Sequence, residues 1–218
     1  MELGTQIDLY CERIGPEFWA ESINAITNSA FLMAAIWAEM RLWGSGLWLG
    51  WILAALLFAI GTGSFLFHTF ATGWAAALDV IPIAFFILSF VFATHLHVLG
   101  WSLLGAALGT LAFLPYMFAA ATGFNALPFF QVSGSYWPIV LALLLYALAL
   151  MRPFPSLARG FVIGAGILTV SLTFRSIDIP LCDGFPHGTH FMWHILNGVM
   201  LAWMIEVYRR HLLAARVT

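Results

Sequence analysis

Lysine is missing altogether from this 218-residue chain, and its eight basic residues are all arginine. They are scattered, which excludes the clustered basic face that nucleic-acid binding needs. Charge of either sign is scarce: Asp, Glu, Lys and Arg make up 8% of the residues, against about a quarter in soluble domains. The net charge of −2 points to no partner. A secretory signal is also wanting, because the opening "MELGTQIDLYCERIGPEFWA" is acidic and lacks a basic start and an apolar core. Repeats, low-complexity tracts and linkers are absent as well, so a single domain is expected over 1–218.

What is abundant is hydrophobicity. Apolar residues make up 62% of the chain, with 20 Phe and 10 Trp, and an integral membrane protein is expected. Seven stretches are long and apolar enough to cross a bilayer, at 22–40, 47–68, 75–94, 98–121, 135–151, 160–176 and 190–208. Backbone in hydrocarbon must satisfy its own hydrogen bonds, so each stretch is a helix. The fold class expected is therefore an all-α seven-helix membrane bundle. An acidic segment, 1–21, precedes the bundle at 22–208, and a tail, 209–218, follows it. With seven spans, Arg41, Arg152, Arg159, Arg209, Arg210 and Arg216 fall on the side of the C-terminus, and only Arg13 and Arg175 fall opposite. That bias predicts a cytoplasmic C-terminus and an outer N-terminus. The acids run the other way: Glu2, Asp8, Glu12, Glu17, Glu21, Asp79, Asp178 and Asp183 map outside, and Glu39 and Glu206 inside.

Ionisable residues within spans are costly and mark functional sites. Ser64 and His68 lie at i and i+4 near the outer end of the second stretch, and Asp79 opens the third. His190 and His194, again at i and i+4, open the seventh. Three helices thus bring Ser, Asp and three His to one membrane depth. Each residue alone has a plainer role: a helix-bridging imidazole, a back-bonded hydroxyl, a hydrated carboxylate. Their coincidence favours a zinc tripod of His68, His190 and His194, with the fourth position open to an acidified water. Asp79 then serves as general base or water holder, and Ser64 as hydrogen-bond donor to that water or to an oxyanion. His95 and His97 fall at the opposite, cytoplasmic end and are expected at the interface. His187 is the nearest alternative ligand by sequence.

The N-terminal segment "IDLYCERIGPEFWAES" holds closely spaced carboxylates, which suit Ca²⁺ or a merely solvated acidic arm. The Asp/Asn spacing and central Gly of an EF-hand loop are missing. Both cysteines, Cys11 and Cys182, map to the outer side, where oxidation is allowed; a disulfide and two unpaired thiols are both open.

Ser-x-x-x-His, then Asp eleven residues after that His, then His-x-x-x-His on the last span resembles the seven-helix intramembrane hydrolase superfamily. That superfamily holds the alkaline ceramidases, the adiponectin/progestin-type receptors and the GPI-remodelling lipid hydrolases. "YCER" followed by "WAESINAITNSAFL" is similar to the alkaline ceramidase branch. The resemblance covers essentially the whole chain. It implies zinc on His68, His190 and His194, amide cleavage assisted by Asp79 and Ser64, and a Cys11–Cys182 disulfide. It also implies calcium on Glu12, Glu21 and Asp8, the last displaced by one residue. Tyr10 stands where Trp is usual, and Ile14 where the pattern has a polar side chain. The implied activity is hydrolysis of a ceramide-like membrane lipid in the bilayer, with no protein partner. Ester cleavage, or a non-enzymatic receptor or scaffold with structural zinc, are the competing functions. Arginine without lysine suggests a GC-rich genome, and hence a bacterial inner membrane with the site facing the periplasm.

Overall fold

The computed structural model describes residues 3–216; Glu2 and residues 217–218 of the tail lie outside the described residues. The helices in chain order are α1 (Ser22–Thr27), α2 (Ser29–Leu42), α3 (Trp48–Phe70), α4 (Gly73–Ala93), α5 (Leu103–Asn125), α6 (Pro128–Gln131), α7 (Trp137–Leu150), α8 (Pro155–Ser176) and α9 (His190–Ala214). Among the described residues no strand forms, only an isolated bridge between Gln6 and Thr72. Five helical stretches are long and apolar enough to cross a membrane: Trp48–Phe70, Gly73–Val98, Leu103–Asn125, Pro155–Ser176 and His190–Ala214. Large side chains such as Leu104, Leu108, Leu111 and Phe118 on α5 stand exposed. Water would penalise so broad an apolar surface, whereas hydrocarbon solvates it.

The helices differ from the expected stretches at three places. The first stretch is broken at Asn28, whose side-chain amide donates to the Asn24 carbonyl at 2.9 Å. That bond competes with the backbone for the same carbonyl and separates α1 from α2. The fifth stretch yields the fourteen-residue α7. The third runs on through a π-turn, Thr94–Val98, so α5, the helix of the fourth stretch, begins only at Leu103. His95 and His97 sit in this turn and each has a tyrosine partner: His95 is buried and pairs with the Tyr146 hydroxyl at 2.7 Å, and the half-buried His97 pairs through Nδ1 with the Tyr208 hydroxyl at 2.6 Å. Sequence spacing carries no trace of these tyrosine partners, which come from α7 and α9.

Two features set the end of the bundle where the three histidines lie. Gly63 on α3 lies against the Leu78 backbone of α4, and a Cβ there would meet the Leu78 carbonyl oxygen. The helix bearing Ser64 and His68 therefore packs backbone to backbone on the one bearing Asp79. The N-terminal segment then crosses the α3–α4 turn, with Ile7 N–H donating to Ala71 O at 2.7 Å. This course carries Tyr10 to Arg13 over the helix ends. Cys11 is joined to Cys182 by a disulfide, Cα to Cα 5.5 Å, tying the segment to the loop before α9.

Candidate metal centre

His68 from the last turn of α3 and His190 and His194 from the first turns of α9 are all buried, and their ligand nitrogens lie within 4.8 Å of one another. No other group of His, Cys, Asp and Glu with such spacing occurs among the described residues. His187, exposed in the preceding loop, stays outside it.

The hydrogen-bond network fixes the tautomers. Thr27 spends its one hydroxyl proton on the Ile23 and Asn24 carbonyls at 2.8 and 3.0 Å. Its oxygen is left to accept from His194 Nδ1 at 2.9 Å. Glu21 accepts from His68 Nδ1 at 2.6 Å. Burial works to raise the Glu21 pKa, but the hydrogen bonds from His68 and Arg13, with the Arg13 charge, outweigh it and hold the carboxyl below its ordinary range. Both Nδ1 atoms therefore carry protons, and the Nε2 lone pairs of His68 and His194 face each other across 3.0 Å. Lone pairs that close repel unless an electron-pair acceptor stands between them. A shared proton would serve these two only; His190 adds a third imidazole whose Nδ1 is buried without a partner. Zn²⁺ takes three imidazoles and keeps one position open at catalytic sites. A carboxylate on the far nitrogen of a ligand histidine is the usual outer support. The residues fit that ion.

Arg13, Thr27, Asp178 and Tyr10 belong to this centre although sequence reasoning passed over them. Arg13 pairs with Glu21 and donates to the Gly15 and His68 carbonyls at 2.9 and 3.0 Å. Its signal was a lone cation set inside an acidic segment. Asp178 accepts from the backbone N–H of Thr189 at 2.6 Å, of His190 at 2.9 Å and of Cys11 at 3.0 Å. It thus caps α9 where Thr189 makes no side-chain cap, and the negative charge suits a helix N-terminus. Gly188 turns with φ of 62° beneath it, where a Cβ would strike Asp178 and Cys11. Tyr10 stacks on His190 with ring centroids 3.7 Å apart. Burial pushes its hydroxyl well above the ordinary range, opposed by Arg175, and keeps it a neutral donor.

Asp178→Asn should therefore cost about 1–3 kcal/mol, since one amide must replace an oxygen facing backbone donors. Thermal unfolding in detergent reads this as a lowered Tm; an unchanged Tm would show that the cap carries no weight.

The acidic residues assigned to calcium by resemblance are not brought together. Glu21 is taken by Arg13 and His68. Glu12 accepts from the backbone of Ile23 and Asn24 at 2.6 and 2.8 Å, capping α1 from outside. Asp8 is exposed.

Ser64 and Asp79 line a cavity whose walls do not include the three histidines. The Asp79 carboxylate lies within electrostatic reach of the Ser64 hydroxyl and of His68. Most of the remaining lining is apolar, with Phe86, Phe90, Leu143 and Met204 among it, and Tyr136, Tyr146 and Asn197 add further polar groups. A lining of this kind suits an apolar ligand with a polar group near Asp79 and Ser64. The chain matches no protein-family model and no curated protein.

Proposed function

We propose that this chain is an intramembrane zinc-dependent amidohydrolase of the alkaline ceramidase kind, cleaving the N-acyl amide of ceramide or a related lipid. The observation that carries the proposal is the facing pair of Nε2 atoms at 3.0 Å, with Ser64 and Asp79 lining a largely apolar cavity. Zinc, when bound by His68, His190 and His194, supplies a Lewis acid and acidifies water. Asp79 accepts the proton of the attacking water and returns it to the departing sphingoid amine. Ser64 donates a hydrogen bond to the oxygen of the amide carbonyl as negative charge gathers there. Glu21 and Thr27 hold His68 and His194 in one tautomer throughout. The apolar walls keep the acyl chain in a hydrocarbon-like environment while the amide meets the polar end.

The same reading gives seven spans, α1 and α2 together forming the first and α7 a short one. It sets the N-terminus outside and the C-terminus in the cytoplasm of a bacterial inner membrane, with the metal centre facing the periplasm. The arginine bias supports this orientation. The disulfide agrees with an oxidising outer face, since such bonds persist in the periplasm.

The test is a pair of substrates with the same fluorescent acyl chain, one a ceramide and one a lipid ester, given to purified protein in mixed micelles. Release of fatty acid and sphingoid base from the ceramide is expected. Cleavage of the ester alone would move the activity to the other branch of the superfamily, and cleavage of neither would remove hydrolysis. Glu21→Gln should weaken zinc affinity roughly 10–100-fold, the usual effect of losing an outer carboxylate. Competition with a chelator measures it; an unchanged affinity would mean Glu21 supports the fold and not the ligand.

A further inference from the structure

A second built feature lies on the outer face of α2 and α9, beyond the histidines. Ala30, Ala34, Trp37 and Arg41 follow one another at helical spacing on α2, as Ile195, Val199, Trp203, Glu206 and Arg210 do on α9. Small residues such as Ala30, Ala34 and Val199 leave an apolar groove between the helices, with Trp37 and Trp203 among its walls. The groove leads toward a cluster of charge about one turn further on. Arg41 Nη2 and Arg210 Nε donate to the same oxygen of Glu206 at 2.8 and 2.7 Å, and Arg209 Nε donates to the other at 2.7 Å. Three guanidinium groups on one carboxylate leave a net charge of +2. Glu206 is 1% exposed, whereas Arg41 and Arg210 are 45% and 61% exposed. Arg41 lies 6.0 Å over the Trp37 ring and Arg210 6.0 Å over the Trp203 ring. The Nη groups of Arg210 have no hydrogen-bond acceptor among the described residues.

We propose that this groove binds an anionic phospholipid, with one acyl chain between α2 and α9 and the phosphate on Arg41 and Arg210. Any lipid chain can fill an apolar groove facing hydrocarbon, so the selective element is the charge at its end. Planar guanidinium donors match phosphate oxygens, and basic pockets between membrane helices take acidic headgroups. The trimethylammonium of a zwitterionic headgroup would meet the same net positive charge and be disfavoured. A second copy of the chain is disfavoured on the same ground: a two-fold contact would set arginine against arginine, and the sole acid on these stripes, Glu206, is already paired. The site is independent of the metal centre and of any hydrolysis.

Native mass spectrometry of the full chain in detergent tests it. The probes are phosphatidylglycerol and phosphatidylcholine of identical chains, and glycerol phosphate as the headgroup alone. Phosphatidylglycerol should be retained about thirtyfold better than phosphatidylcholine, and glycerol phosphate not retained. Arg41→Gln with Arg210→Gln should lower phosphatidylglycerol affinity roughly thirtyfold, to the level of phosphatidylcholine. Ala34→Phe, which leaves the Glu206 cluster untouched, should weaken both lipids and decides the matter if the arginine variant does not fold. Equal binding of the two lipids, tight binding of glycerol phosphate, anionic preference surviving the variants, or a dimer abolished by Ala34→Phe would each overturn the proposal.

Discussion

Asp79→Asn is expected to lower lipid turnover roughly 10²–10⁴-fold while zinc stays at about one per chain, the span typical of a lost general base. Asparagine keeps the shape of the side chain and an oxygen for the Ser64 hydroxyl, but it can no longer accept a proton from water. Asp79 lines the cavity and is not among the clustered histidine nitrogens, so the metal should not depend on it. Parallel measurements of turnover and zinc content separate the roles. Loss of zinc in this variant would make Asp79 a ligand or a support for one. Retained turnover would remove it from the chemistry.

His68→Ala is expected to bring hydrolysis down to the assay blank and to release the metal. His68 is the one imidazole contributed from outside α9, and its Nε2 faces that of His194 at 3.0 Å. Without it two ligands remain on one helix, too few to hold zinc against competing chelators. The variant also leaves Glu21 bonded only to Arg13 and Asn24, so the folded state should survive through the Arg13 pair and the disulfide. Size-exclusion behaviour and zinc content report on the two effects separately. Activity persisting in a zinc-bearing His68→Ala protein would place the metal elsewhere.

The sequence was informative where periodicity and charge scarcity speak directly. His68, His190 and His194 could be placed together because i and i+4 spacing puts residues on one helix face, and the arginine bias put both helix ends on one side. Ser64 and Asp79 came from the same logic. The supporting shell was not legible, because it depends on the path of an irregular segment. Nothing in the spacing of "CERIGPE" says that Arg13 folds back on Glu21, or that Glu21 reaches His68 forty-seven residues away. Those two contacts engage Glu21, one of the carboxylates that suggested calcium, with Arg13 and a histidine. Asp178 was hidden for the same reason, since it caps α9 from across a loop of eleven residues. The break at Asn28 and the interior pairing of His95 and His97 depend on single side-chain hydrogen bonds that hydropathy does not register.

The most direct test is zinc content, by elemental analysis of the detergent-purified protein beside its His190→Ala/His194→Ala variant. About one zinc per chain, lost in the variant, is the expected result and would establish the three histidines as the ligands. A well-folded wild-type protein purified with zinc supplied that holds none, or a variant that keeps its full complement, would contradict the metal centre and the hydrolysis built on it.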